Sequence, residues 1–565
     1  MSTNKSFIVP RNNNSHLLYP LSEPADGLLS YNLGLQVDSP RWLQDLRVLA
    51  RIEALEEAQN FDNGCGYLDT SISRKTTATK PKRWLVGGHQ PELFHPGVWF
   101  KNYLLAGISQ KLSANGSACQ PLHVIIDHDL AKADTIKTIY EKAGKLVVRN
   151  NVLPFRSLAH PPLPWQSTYL EPSMLPDWQD VVNSVEQDCI SQGWEPILST
   201  RFSVLERCIS TNKSVGDAFS LLRRSVELSC GIENSEVRMS QLCERSAFGE
   251  FVFRCLSEST RLMDAYNLSR DEFRRRRKIR NAAQPVPELQ SQAGWVEMPF
   301  WIYRARRAES EILKDHYRSK LWFSQSARGS YLSNSPSQDA SILLRVPDDL
   351  ALDIDTGRCH QVWNEWCQQG ICIRPRALMT TLFLRFVLSD LFVHGVGGGL
   401  YDSVTDEIAC RLWGVMAPKM IVASATLHLP IVEPAGAVEL DERKLNDQLR
   451  WLRSSPERFL DLRSPTAQSL WTEHESLIAN IPRGNAKAEW HDRMASLRTK
   501  IHANIHEESE SIEAASSKLI QQRHQKAICS SREYSFSIFS ERDITSRLRK
   551  VVDRAVAATD DRTGK

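Results

Sequence analysis

Trp84-Leu85-Val86-Gly87-Gly88-His89-Gln90-Pro91-Glu92-Leu93-Phe94-His95-Pro96-Gly97-Val98-Trp99-Phe100-Lys101-Asn102 is the stretch whose reading decides the fold. An apolar, strand-like run ends in Gly87-Gly88. A turn carrying two histidines, a Gln, a Glu and a Lys then feeds the helix-like run Tyr103–Ile108. A strand that passes through glycines into a helix leaves free backbone N–H groups at the helix start, a place suited to an anion or nucleotide.

Outward from that turn the pattern alternates. Strands are expected at Trp84–Val86, Leu122–Ile126 and Lys145–Val148, with helices near 99–112 and 131–143. Such alternation implies parallel strands with helical crossovers, the start of a doubly wound α/β sheet. Residues 346–435 repeat the theme. Cys372–Arg376 reads as the end of a strand, Leu378–Asp390 as a buried helix and Leu391–Val393 as a strand. The loop His394–Asp402, a helix over 404–416 and a strand at Ile421–Ala425 follow.

The division this suggests is a lead-in over 1–83 with one helix (Pro40–Gln59), then a first α/β half over 84–164. A mainly helical connection over 165–345 leads to a second α/β half over 346–435. Helices over 436–530 and a C-terminal segment over 531–565 complete it. Ser71–Pro81 reads as a polar linker and Thr559–Lys565 as a polar tail. Ser39 before Pro40 has the pattern of a helix start. From Trp490 to Leu519 the apolar residues Trp490, Met494, Leu497, Ile501, Ile505, Ile512 and Leu519 approximate a heptad seam. That seam fits either a helical hairpin or a two-stranded coiled coil joining two copies of the chain.

The totals limit the function classes. At 565 residues the chain exceeds one simple core. Charged residues are 24% and the net charge is +3, which gives no general case for nucleic acid or membrane surface. The basic run Arg274–Arg280 lacks interleaved aromatics and reads first as a solvated helix face. No apolar run approaches the roughly 20 residues of a membrane span. Met1–Asn14 lacks the apolar core of a signal peptide, so a cytoplasmic protein is expected. Twelve scattered cysteines without a Cys-x-x-Cys pair read as reduced thiols, and no metal site is expected.

Three clusters can carry chemistry. In the first turn, Gly87 and Gly88 allow close backbone approach. His89 can exchange protons with an anion, Lys101 can neutralise phosphate, Glu92 can orient His89 or an incoming amine, and Gln90 is a ligand-binding candidate. The plainer alternative is a structural turn with a capping histidine. The second cluster is Asp127-His128-Asp129, after the strand Leu122–Ile126. A histidine between carboxylates is expected to be more basic than free imidazole and to serve as a general base; the plainer alternative is a solvated acidic turn. The third is His394-Gly395-Val396-Gly397-Gly398-Gly399-Leu400-Tyr401-Asp402, a phosphate-cradle pattern without P-loop spacing. The plainer alternative there is a packing turn. Arg374, at the end of a preceding strand, is expected to reach the same edge with Arg376.

These clusters, in this order, resemble the cysteine-ligase family of bacillithiol biosynthesis. That family has a Gly-Gln-Gln-x-x-Leu-Phe-x-Gly-Pro turn, matched by Gly88–Gly97, with Lys101 in the helix that follows. Its Glu-Asp-His-Asp strand end is matched by Ile126–Asp129. Its Arg-Pro and Gly-Gly-Pro-Gly-Glu-x-x-Tyr elements are similar to Arg374-Pro375 and Gly395–Tyr401. Its Gln-Glu-Arg element has a distant counterpart in Arg532-Glu533-Tyr534. His89 stands where the family has Gln, and the glycine loop lacks the family's Pro and Glu. The resemblance implies a Rossmann-like core related to nucleotidyltransferases, helical insertions and a C-terminal coiled coil. It also implies an amide-forming or amine-adding reaction on a small-molecule substrate, with a nucleotide of the ATP or ADP type bound nearby. A shorter likeness, over Gly88–Lys101, is to WbqC-like proteins. The alternative reading is a non-catalytic binding or assembly protein that retains the core and works through its helical segments.

Overall fold

The computed structural model describes residues 7–20, 24–64, 83–155, 162–305, 317–337, 340–352, 354–431 and 442–557. The expected linker at 71–81 and tail at 559–565 lie outside these. The chain divides into two compact units. The first comprises Met1–Tyr140, Arg149–Leu429 and Arg532–Lys565; the second comprises Glu141–Val148 and Pro430–Ser531.

The first unit is α/β. Its central sheet has six strands, in spatial order Ser15–Tyr19, Met420–Thr426, Leu391–His394, Arg83–His89, Cys119–Ile125 and Ser235–Arg238. The last five run parallel, and Ser15–Tyr19 closes one edge antiparallel. Numbered along the chain, the parallel strands stand in the order 3-2-1-4-5. The winding reverses between Arg83–His89 and Leu391–His394, whose register pairs Leu85 with Leu391 and Gly87 with Val393. Trp84, Leu85 and Val86 are buried, as a central parallel strand covered on both faces requires. Asp390 anchors this pair of strands: its Oδ2 accepts the Trp84 N–H at 2.7 Å while Arg51 pairs with its other oxygen at 2.6 Å.

A second sheet belongs to the same unit and is antiparallel. Its order is Leu343–Val346, Gly329–Ser333, Ser319–Ser326, Trp295–Arg304 and Ile371–Pro375. Two expectations change. The connection over 165–345 is helical up to Arg277 except for Ser235–Arg238, the edge strand of the parallel sheet, and then turns to strand. Ile371–Pro375 joins this second sheet through Trp295–Arg304, not the parallel one. The physical reason is the aromatic, β-prone run Trp295-Val296-Glu297-Met298-Pro299-Phe300-Trp301-Ile302-Tyr303, which supplies a strand for it to pair with. Phe248, Phe251, Phe300, Trp363 and Phe383 fill the space between, in one core continuous with Trp84 and Val86.

The helix expected at 131–143 is absent. Thr135–Lys142 and Lys145–Val152 form a two-stranded hairpin. Thr135, Ile136, Thr138, Ile139 and Tyr140 favour strand, and Ala143 (φ 52°) with Gly144 (φ 72°) makes the left-handed turn such a hairpin needs. The lead-in is also more ordered than expected: an edge strand and two helices, Ala25–Val37 and Arg41–Gly64.

The second unit is helical, with helices Glu442–Ser454, Pro465–Ala479, Ala486–Asn504 and His506–Cys529. The heptad seam breaks at Ile505, between the last two. Met494, Leu497, Ile501 and Ile505 are buried against Leu452, Leu470 and Leu477 of the same chain. This part of the seam is therefore covered within the unit and leaves no apolar stripe there for a second copy.

Candidate functional site

Because the five strands are parallel, their C-terminal ends share one edge, and at the reversal of winding two neighbouring strand ends diverge to leave a crevice. A cleft of about 820 Å³ opens there. His89, at the end of one strand, and His394, at the end of its neighbour, both line it. So do Gly88, Gln90, Lys101, Asp129, Gly395, Gly397, Gly398, Tyr401 and Asp402. Segments about three hundred residues apart thus meet in one place.

Two helices begin at this cleft, Pro96–Ala114 and Val396–Trp413. The first is capped by His95, whose Nδ1 accepts the Gly97 N–H at 3.1 Å. In the second, His394 Nδ1 accepts the Gly395 N–H at 3.0 Å. The His394 ring lies so close over the first turn that a Cβ on Gly398 would fall 1.7 Å from it. Glycine is required at that position. A Cβ on Gly397 would meet nothing within 4 Å, so its backbone stands open. The first-turn N–H groups of this helix lack intrahelical partners by construction.

Lys101 lies one helical turn beyond Gly97, on the same face. It is 5% exposed, and its Nζ donates to Gly88 O at 3.1 Å. No ion pair to it occurs among the described residues. Burial pushes its pKa down to about 8. Burial also depresses the neighbouring imidazoles: His95 to about 3, with Arg532 and Lys101 adding repulsion, and His394 to about 3, with Lys101 and Arg385 adding to it. Both rings are therefore neutral. With each Nδ1 accepting a backbone N–H, Nε2 carries the proton and is the donor.

His89 lies between two oxygen acceptors, and as a neutral ring it can donate to only one of them. Nδ1 lies 3.0 Å from Gln90 O and Nε2 lies 3.2 Å from Asn102 Oδ1. Burial and the nearby His123, Lys101 and Arg223 hold its pKa well below the usual value. Glu92 was expected to orient it and does not.

The remaining expected residues stand outside the lining. Gly87 and Gly399 are packing glycines, with an added Cβ 3.1 Å from Leu105 and 2.6 Å from Val422 respectively. Asp127 accepts from Ser240 N–H at 2.9 Å and from the Ser240 hydroxyl at 2.5 Å, and burial raises it to about 6. His128 is buried behind Thr380, with Nε2 3.4 Å from Thr380 Oγ1 and Nδ1 unpartnered. Burial lowers it to about 4 against the pull of Asp129, with Arg374 and Arg318 adding repulsion. This reverses the expected gain in basicity: one flanking carboxylate is turned away to Ser240, and desolvation outweighs the other. Arg374 is buried in the second sheet and pairs with Glu244 at 2.8 Å instead of reaching the cleft. Within the cleft, Asp402 is paired with Arg385 at 2.8 Å.

Sequence reasoning missed three things. His95 is in the quoted turn, and His-Pro-Gly at a helix start is the signal that was there to use. Arg532 lines the cleft, with Nη2 donating to Ser424 Oγ at 3.0 Å; the distant likeness of Arg532-Glu533-Tyr534 to a family element was the one signal, and it did not mark a site. Beneath His89 lies a buried polar chain. Asn102 Nδ2 and Trp99 Nε1 donate to Glu227 Oε1 at 2.8 and 2.6 Å. Arg223 joins Glu227 (2.5 Å) to Glu236 (2.7 Å), and His123 Nδ1 lies 3.2 Å from Glu236. This chain fixes the Asn102 amide so that its oxygen faces His89.

Among the described residues no group of three His, Cys, Asp or Glu side chains is placed to hold a metal ion, and no helix is long and apolar enough to cross a membrane. Compared with known proteins, the chain matches no family model and no curated protein.

Proposed function

We propose that the protein is a ligase or transferase that seats a nucleotide-type ligand in this cleft and joins an amine or amino acid to a small precursor there. In this reading the parallel sheet is a Rossmann-like core related to that of the nucleotidyltransferases, and the chain is a divergent relative of the cysteine ligases of bacillithiol biosynthesis. The strand order 3-2-1-4-5 and a crevice at the reversal of winding support the core assignment. The observation that carries the functional reading is Lys101: an ammonium 5% exposed, with one carbonyl partner, between two helix N-termini. A buried cation without a counter-ion calls for an anionic ligand.

The chemistry this favours is stabilisation of developing negative charge. Lys101, the Nε2–H donors of His95 and His394, and the free first-turn N–H groups are donors fixed in advance, which is what an oxyanion or a transferring phosphoryl group requires. The three cleft histidines have depressed basicity and are poor proton acceptors at neutral pH. The proton of an attacking amine must therefore leave by a group other than these histidines or the Lys101 ammonium.

The test is ligand-dependent stability. ATP or ADP at 100 times its Kd should raise unfolding free energy by about 2.7 kcal/mol, and Lys101→Met should abolish that gain. No stabilisation by either nucleotide at millimolar concentration would refute the reading. Binding without turnover of any amine would favour the binding-protein alternative.

A further inference from the structure

We propose that the charged end of the cleft selects a phosphoryl group over a carboxylate, and that Arg532 is the residue that makes the selection. This rests on the reading that the cleft holds an anionic ligand, and it narrows that ligand to one chemical class.

Arg532 enters from the far end of the chain and lies against the start of the Pro96–Ala114 helix. Gly97 makes room for it. A Cβ there would fall 2.4 Å from Arg532 Nη2 and 2.3 Å from Ala425 O, so no larger residue fits without moving the guanidinium. Nη2 is anchored, donating to Ser424 Oγ at 3.0 Å and lying 3.4 Å from His95 Nδ1. Nε and Nη1 are shielded from solvent and have no hydrogen-bond partner. The Glu533 carboxylate is 3.5 Å from Nε and 63% exposed, a loose pairing. The guanidinium is thus anchored through one nitrogen, while its other two have no hydrogen-bond partner.

Lys101, one turn along the same helix face, has used one of its three N–H donors. Lys101, His95 and Arg532 line the same cleft, with Arg532 Nη2 3.4 Å from His95 Nδ1. A carboxylate there would bring one negative charge to two cations, Lys101 buried and Arg532 part-buried. A phosphoryl group brings about −1.5 to −2 and three acceptor oxygens, which match two cations and their unspent donors.

The experiment is calorimetric titration of the full chain at pH 7 with inorganic phosphate, succinate and ATP in turn. Wild type should bind phosphate and ATP and discriminate against succinate. Arg532→Gln should weaken phosphate and ATP roughly 10- to 100-fold. Arg532→Lys keeps the charge but loses the planar fork, and should fall between. Ser424→Ala, which removes only the anchor, should cost less than Arg532→Gln. Succinate bound as tightly as phosphate, or phosphate affinity unchanged in Arg532→Gln, overturns the inference. If ATP binds wild type and Arg532→Gln equally, the nucleotide reading survives and this one falls. If phosphate binds through Arg532 but ATP binds no more tightly than phosphate, selection of phosphoryl stands and its source is a non-nucleotide phosphate ester.

Discussion

Lys101→Met should make the unliganded protein more stable at pH 7, although it removes the group on which ligand binding depends. Methionine keeps most of the stem that packs under the cleft and deletes the ammonium. Burial holds Lys101 at about 8, against 10.5 for the exposed side chain. A gap of about 2.5 units at 1.36 kcal/mol per unit is a penalty of about 3 kcal/mol on the charged, folded form. Losing the bond to Gly88 O returns about 1 kcal/mol. The expected net gain is about 2 kcal/mol. The pH dependence gives a second reading of the same number. The folded pKa lies below the unfolded one, so between pH 8 and 10.5 the unfolded chain binds the extra proton. The penalty is complete below pH 8, shrinks as pH rises and is gone above 10.5. Urea unfolding of wild type and variant, followed by tryptophan fluorescence at pH 7, 9 and 10.5, should show curves that converge with rising pH. With saturating ATP at pH 7 the order of stability should invert. A variant less stable than wild type at pH 7 without ligand, or a difference that ignores pH, would refute the claim that Lys101 is a buried charge held for a ligand.

Acid should destabilise the first unit early. His95, His394 and His128 sit at about 3, about 3 and about 4, below their unfolded value of 6.5, so the unfolded chain takes up protons first. The stability they confer is complete above pH 6.5 and declines as pH falls toward 4; for His128 alone the gap amounts to about 3 kcal/mol. Unfolding midpoints from pH 7 to 4.5 should fall steeply, and less steeply in His394→Gln. Gly398→Ala places a Cβ 1.7 Å from the His394 ring, so it should lower the melting temperature and weaken ATP binding together; an unchanged melting temperature would mean the ring is free to move aside. Arg223→Met strands the Glu227 and Glu236 carboxylates in the core, at about 3–5 kcal/mol. An Arg223→Met protein as stable as wild type would show that Trp99, Asn102, Arg224 and His123 satisfy those carboxylates without Arg223.

What the chain declares of itself locally is what survived. The run Trp84–Val86 into Gly87-Gly88-His89, and Leu391–Val393 into His394-Gly395, each carry a strand–turn–helix signal in about twenty residues, and both strands stand where they were expected. The loop expected over His394–Asp402 is instead mostly the first turns of the helix Val396–Trp413, which starts eight residues earlier than the expected 404–416. Failures came where local pattern was ambiguous or the partner was distant. Thr135–Lys142 has apolar spacing that a helix also satisfies, and its β-branched residues and the Ala143-Gly144 turn were the better guide. Trp295–Arg304 announces burial without announcing a sheet. Asp127 and Asp129 flank His128 in sequence, yet Asp127 turns to Ser240 and its effect on the imidazole is lost. Arg532 is close to Ser424 because of the fold, and no window of sequence contains both.

Charge bookkeeping across the first unit explains why the cleft is positive. Most of its buried guanidinium groups have carboxylate partners within 3 Å, among them Arg223 with Glu227 and Glu236, Arg385 with Asp402, Arg374 with Glu244 and Arg376 with Glu297; Arg47 instead donates to Phe386 O and Ser39 Oγ. Asp402 faces the cleft and would be the natural partner for Lys101, but Arg385 holds it. Asp129 also faces the cleft and is engaged by Arg318 at 3.3 Å and Gln90 at 3.1 Å. Asp402 and Asp129 are therefore committed elsewhere; Lys101 has no ion pair among the described residues, and Arg532 has only the loose contact with Glu533, which also lines the cleft. A fold that pairs its buried charges this thoroughly would gain stability by pairing or deleting Lys101 as well. Such a site is stable only at a cost, and an occupant that brings the missing negative charge removes that cost when it binds.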